Sequence, residues 1–174
     1  MNLTAVREPQ EIVRRHFGES LFAAHYFFPD VEQQSPINII DVGSGAGFPG
    51  LPIKLWFQRA NVTLIESNNK KVAFLREVIR SITLMEINVF SGRTENYDGA
   101  LGDLVTLRAV EKFEVALPMA VKLVADGGRL GLLIGEAQYQ KARDLEPSLQ
   151  WSEAVPIPGS MNRILATAKV NRAS

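Results

Sequence analysis

Cysteine is absent from the 174-residue chain. Disulfide frameworks, thiolate metal sites and cysteine nucleophiles are therefore excluded. His16 and His25 are the only histidines, too few for most histidine-based metal sites, and no metal is expected. An excess of charge of one sign is missing too. Lys+Arg and Asp+Glu number 19 each, and the net charge is zero. Such a chain does not coat nucleic acid by bulk charge. No apolar run approaches the roughly 18 residues that cross a bilayer. The N-terminal stretch carries charges throughout and lacks the apolar centre of a secretory signal. A soluble cytoplasmic protein with no membrane contact is the expectation. Apolar material is plentiful, at 46% of residues against 22% charged, which is globular rather than disordered. The length suits one domain over residues 1–174, with an N-terminal helical extension at about 1–35.

Strand-length and helix-length patterns alternate along the chain. A helix is predicted over residues 9–28, opened by Pro9. Ile37–Val42 is an apolar strand running into a glycine cluster, followed by a helix from about Pro49 to Arg59. Val62–Ile65 is a second strand, and Ser67 or Asn68 caps a helix to about Thr83. Further strands are predicted over Ile87–Phe90, Leu104–Leu107, Arg129–Ile134 and Arg163–Lys169. Helices are predicted over 111–124 and 136–147, with Asp126-Gly127-Gly128 as a turn. The alternation implies an α/β fold, a mostly parallel sheet with helices on both faces. Ligands of such sheets sit at the carboxyl ends of the strands. That selects the glycine loop, Glu66, the segment Gly92–Glu95, Arg108 and Gly135.

The strongest local signal is Asp41-Val-Gly-Ser-Gly-Ala-Gly-Phe-Pro-Gly50. Gly45, Gly47 and Gly50 satisfy G-x-G-x-x-G, so a dinucleotide reading stands. It needs a pyrophosphate at the helix N-terminus. Asp41, at the end of the strand, would repel that phosphate and suit a cationic ligand. S-adenosylmethionine is such a ligand, with a sulfonium, an ammonium and no phosphate. Gly43, Gly45 and Gly47 would let the backbone pass close to it, and Glu66 is placed to accept two ribose hydroxyls. Glu66 serves either reading; Asp41 favours the methyl donor.

The chain resembles the glucose-inhibited division protein B family, the bacterial methyltransferases that make 7-methylguanine in 16S ribosomal RNA. The resemblance is carried by Asn2–Arg7, Arg15-His-Phe17 with Ser20, Asp41–Pro52, Glu66-Ser67 and Lys70-Lys71 with Phe74-Leu75-Arg76. Gly92–Glu95, Arg108–Val110 and Gly127-Gly128-Arg129 carry it further. It implies a class I (Rossmann-like) methyltransferase fold, a three-layer α-β-α sandwich whose mostly parallel seven-stranded sheet ends in an antiparallel strand. It also implies donor contacts at Gly43, Phe48, Thr94, Glu95 and Arg108, with Glu66 on the ribose. The implied partner is 16S ribosomal RNA in the small ribosomal subunit, with no DNA and a monomeric enzyme. Glu19 and Ile134 stand where the family typically has Asp and Lys.

Guanine N7 carries a lone pair and no proton, so its methylation requires no general base. Alignment and exclusion of water would do most of the catalysis, and Arg108 is the candidate catalytic residue, holding substrate or donor. The plainer reading pairs Arg108 with Asp103 or another nearby carboxylate. His16 reads as a packing residue, and Phe48 as a cofactor wall rather than core. Lys70, Lys71, Arg76 and Arg80 form either an RNA-facing patch or a solvated helix face. A small-molecule methyltransferase, a catalytically weak donor-binding paralogue and a dinucleotide-binding protein are the alternative functions.

Overall fold

The computed structural model describes residues 9–33 and 35–172. The Asn2–Arg7 part of the resemblance, and the corresponding start of the expected N-terminal extension, lie outside them. The predicted helix at 9–28 is there with an irregular centre. A turn of α-helix, α1 (Pro9–Glu11), leads into a π-helical stretch, Ile12–Gly18, and then into α2 (Glu19–Phe27). Its inward face follows helical spacing: Glu19, Ala23 and Phe27 are buried, as are His16, Ser20 and Ala24.

Strands and helices then alternate as β1 (Asn38–Val42), α3 (Gly50–Trp56), β2 (Asn61–Glu66), α4 (Asn69–Ser81), β3 (Ile87–Ser91), β4 (Gly102–Arg108) and α5 (Phe113–Leu123). The chain continues as β5 (Val124–Gly135), α6 (Glu136–Leu145), β6 (Gln150–Trp151), β7 (Val155–Pro156) and β8 (Arg163–Lys169). Asn68 is the cap of α4, its side chain accepting from the amides of Lys70 and Lys71. β5 starts earlier than predicted: Val124 already pairs with Gly102, so the Asp126-Gly127-Gly128 turn falls inside an irregular strand.

The strand order is β3-β2-β1-β4-β5-β8-β6, with β7 also pairing β8. The five strands β3 to β5 are mutually parallel, and β8 runs antiparallel to β5. The expected late antiparallel strand is therefore β8, and the two-residue β6 and β7 raise the count to eight. Neighbouring strand residues point to opposite faces. Ile39, Leu64, Leu104 and Leu165 pack under α2 and α3. Ile40, Ile65, Val105 and Ala166 pack under α5 and α6. Both faces are thus covered, and solvent reaches this sheet at its edges and strand ends. Phe57 joins the core, whereas Trp56 is half-exposed and donates its indole N–H to the carbonyl of Phe28. The order reverses between β1 and β4, so the loops after these two strands diverge and open a crevice.

Candidate active site

The crevice holds a cleft of about 350 Å³. Its floor and walls come from Gly43 after β1, Glu66 and Ser67 after β2, and Gly92–Glu95 after β3. The segment after β4 closes it with Glu111, Lys112 and Met119. Of the residues expected at the site, Gly43, Glu66, Thr94 and Glu95 line the cleft. Gly45 backs it through its amide, which donates to Glu66 Oε2 at 2.9 Å. Glu66 Oε1 accepts from the amide of Asn68 at 2.8 Å. Each Glu66 oxygen keeps acceptor capacity beyond those two bonds.

Asp41 requires a correction. Its carboxylate does not face the cleft but is fully buried beneath the loop. Thr106 Oγ1 donates to Oδ1 at 2.9 Å, and the Gly50 amide donates to Oδ2 at 3.1 Å. Burial lifts its pKa to about 6, against those stabilising bonds. Asp41 therefore pins the start of α3 to β1 instead of meeting a cation directly. It still argues against a pyrophosphate, for a different reason. Anions at a helix N-terminus need free amides. Here Gly50 N–H is taken by Asp41, Gly45 N–H by Glu66 and Gly47 N–H by the carbonyl of Ser44. The three glycine amides of the G-x-G-x-x-G pattern are thus already bonded within the protein.

Phe48 and Arg108 also lie outside the cleft lining. The Phe48 ring stacks on His16 with centroids 5.2 Å apart, and meets Phe17 edge-on at 4.9 Å. Arg108, at the end of β4, is buried against the N-terminal helix. Its Nε and Nη2 donate to Glu19 Oε2 at 3.1 and 2.9 Å. Nη2 also approaches His16 Nδ1 at 2.8 Å and the carbonyl of Arg15 at 3.2 Å. The plainer sequence reading, Asp103 or another nearby carboxylate, names the right kind of partner, and that partner is Glu19. Asp103 instead accepts from the amide of Asn38. Glu19 Oε1 faces Arg163 Nε at 3.1 Å, so one buried carboxylate neutralises two guanidinium groups. Burial, then the Arg108 charge, lowers His16 to a pKa of about 4. A neutral packing histidine is what that environment requires.

Glu19, Glu111, Lys112, Thr106 and Arg163 are residues that sequence reasoning did not select. Glu111 and Lys112 follow β4 and fall under the same strand-end rule that picked Arg108. Glu19 shares a helical stripe with Ala23 and Phe27, and a charge on such a stripe signals a buried partner.

The lining suits a ligand of net positive charge. Glu66, Glu95 and Glu111 outnumber Arg93 and Lys112. S-adenosylmethionine fits that chemistry, with Glu66 for ribose hydroxyls and no demand for an anion cradle. No group of three or more potential metal ligands occurs among the described residues. No helix among them is long and apolar enough to cross a membrane.

Known proteins resemble this chain in sequence and in fold. Residues 1–162 match the GidB family, described as rRNA small subunit methyltransferase G. The Ribosomal RNA small subunit methyltransferase G of Chloroflexus aggregans is 40% identical over 134 residues, covering 74% of this chain and 54% of that protein. The protein of the same name from Mycoplasma capricolum is 37% identical over 147 residues, covering 83% and 62%. The chain thus spans less than two thirds of the length of these relatives. Among solved structures, a SAM dependent methyltransferase from Aquifex aeolicus superimposes with a TM-score of 0.70 at 12% identity, covering 93% of each chain. The precorrin-6y C5,15-methyltransferase of Geobacter metallireducens gives 0.65 at 12%, covering 86% and 88%. These likenesses identify the sheet and its crossovers as the class I methyltransferase fold. With most of its length matched to one family, the chain belongs to the rRNA small subunit methyltransferase G family.

Proposed function

We propose that residues 1–174 form one S-adenosylmethionine-dependent methyltransferase domain that methylates N7 of a guanine in 16S ribosomal RNA. It acts as a monomer on the small ribosomal subunit in the cytoplasm. The observation that carries the reading is the cleft itself. Its lining is net acidic, Glu66 has acceptor capacity to offer, and the Gly45, Gly47 and Gly50 amides that a phosphate would need are already bonded within the protein. The names of the relatives supply the class of substrate.

S-adenosylmethionine supplies an electrophilic methyl group on a sulfonium. The chain's own residues bind, orient and exclude water. Glu66 accepts ribose hydroxyls while its bonds to Gly45 and Asn68 fix its carboxylate plane. Gly43, at φ 68°, places main chain on the wall; a side chain there would run into Val110. Thr94 and Glu95 close one flank, and Met119 gives an apolar one. Guanine N7 has no proton to remove, so its methylation asks no general base of the cleft. Glu111 and Glu95 offset the positive charge that the methylated purine acquires.

Isothermal titration calorimetry with S-adenosylmethionine and its demethylated product tests the donor reading. Glu66→Ala removes charge-assisted hydrogen bonds worth about 1.5–3 kcal/mol each, so binding should weaken by at least about tenfold. No binding by the wild type would remove the donor. The RNA reading is tested by incubating protein and donor with unmethylated small subunits. Borohydride–aniline scission then marks a 7-methylguanine, and an uncut 16S RNA would remove the proposed acceptor.

A further inference from the structure

A second cleft opens at the same edge of the sheet, beyond Arg108. It measures about 550 Å³ and lies between the N-terminal helix and the turn before β8, within the range of about 300–1,000 Å³ that accepts ligand groups. The donor cleft sits over β3, β2 and β1. This one sits beside β5 and β8, and β4 with its terminal Arg108 stands between them.

The charge of the two clefts differs. Arg14, Arg15 and Arg163 line the second one, against Glu11 and Glu19. Both carboxylates are committed: Glu11 pairs with Arg14 at 2.6 Å, and buried Glu19 holds Arg108 and Arg163. Arg15 is exposed, and no acceptor for its guanidinium occurs among the described residues. Its main-chain carbonyl is tied to Arg108, so this guanidinium springs from a fixed stem. Among the described residues, the uncompensated charge of this cleft is therefore positive. On its rim stands Met161, 96% exposed, on a turn reversed at Gly159. The lining contains no Trp, Tyr or Phe, the anchors usual at protein interfaces. A fixed cation next to a projecting flexible apolar side chain suits a polynucleotide strand. The cation meets a phosphate, and the apolar group meets a base face or wedges between bases.

We propose that this second cleft seats the backbone of the acceptor RNA strand, with Arg15 on a phosphate and Met161 against a base. The inference rests on the methyltransferase reading and adds where its substrate lies. It also assigns the two clefts opposite partners, a cationic donor on one side of Arg108 and an anionic strand on the other.

Filter binding of transcribed 16S rRNA across a salt series is the test, on wild type, Arg15→Glu, Met161→Asp and Lys70→Glu. Donor affinity is measured on the same proteins by calorimetry. All three positions are exposed, so folding is not at stake. Arg15→Glu should bind RNA about tenfold more weakly, and its salt slope should fall by about 0.7 to 0.9 for the one phosphate it no longer neutralises. Met161→Asp should weaken binding, and donor affinity should be unchanged in both. Wild-type RNA binding that neither variant alters, or that only Lys70→Glu alters, would overturn the proposal and place the RNA on α4. A wild type that binds donor but no RNA would overturn it as well. RNA binding abolished in Arg15→Glu, from a wild type that binds no donor, would support this cleft and refute the donor reading instead.

Discussion

Glu19→Ala should cost about 3–5 kcal/mol of stability. Glu19 is 4% exposed, accepts hydrogen bonds from Arg108 at 2.9 and 3.1 Å and forms an ion pair with Arg163 at 3.1 Å. Its removal strands two guanidinium groups whose side chains are only 7% and 18% exposed. Breaking a buried ion pair from one side costs about 3–5 kcal/mol, because the remaining charge stays desolvated. Arg108 keeps the Arg15 carbonyl and His16, and Arg163 keeps the carbonyl of Leu133, which pulls the value toward the lower end. Domains of this kind are stable by about 5–15 kcal/mol, so the loss is a large share of the whole. Urea unfolding followed by circular dichroism measures it. With a slope of about 1–3 kcal/mol/M, the midpoint should fall by at least about 1 M. Glu19→Ala/Arg108→Met should be less damaging than the two single losses added together, since it removes a stranded charge along with its partner. A single-variant cost under about 1 kcal/mol, or strict additivity in the cycle, would refute this account of the buried cluster.

Two further outcomes follow from buried groups away from the clefts. Asp41 binds its proton more tightly in the folded state, at about 6 against 3.8. Its contribution to stability is therefore complete below about 3.8 and lost as pH rises through about 6. The difference corresponds to about 3 kcal/mol. Asp41→Asn keeps an acceptor for the Gly50 amide without the charge, so its stability curve should lack this component between about pH 4 and 6; identical curves would count against a buried, proton-binding Asp41. Lys54, buried at the end of α3, donates to the carbonyls of Gln58 and Ala60 at 2.6 and 2.7 Å. Lys54→Met orphans both and should cost about 1–3 kcal/mol in the same unfolding assay, and a cost near zero would show that water replaces the lysine.

Much of this arrangement is legible in the sequence because it depends on local order. Alternating periodicities give the crossovers, and the strand-end rule leads to Gly43, Glu66, Thr94 and Glu95, all of which line the cleft. Asp41 is misjudged because strand position says where a residue lies along the sheet, not which groups await its side chain. Its partner Thr106 is 65 residues away. The partner of Arg108 is missed for the same reason, since Glu19 lies 89 residues earlier and meets it only when the N-terminal helix docks. β6 and β7, at two residues each, are too short to show any period. The early start of β5 is hidden by Gly127-Gly128, which locally signals a turn.

The π-helical stretch carries a consequence for how this edge of the sheet can change. A π turn is an α-helix with one residue too many, and each residue rotates a helix by about 100°. Glu19, Ala23 and Phe27 are seated in the interior after the stretch; Arg14 and Arg15 lie within it, against the second cleft. Deleting one residue from Ile12–Gly18 would restore a plain α-helix. The interior would keep its key, while the residues upstream of the deletion would swing by a quarter turn or more. The carbonyl of Arg15, which now accepts from Arg108, lies in this stretch and would shift with it. Chain length in this stretch is thus a dial separate from residue identity, able to redirect recognition at the rim without disturbing the layers beneath.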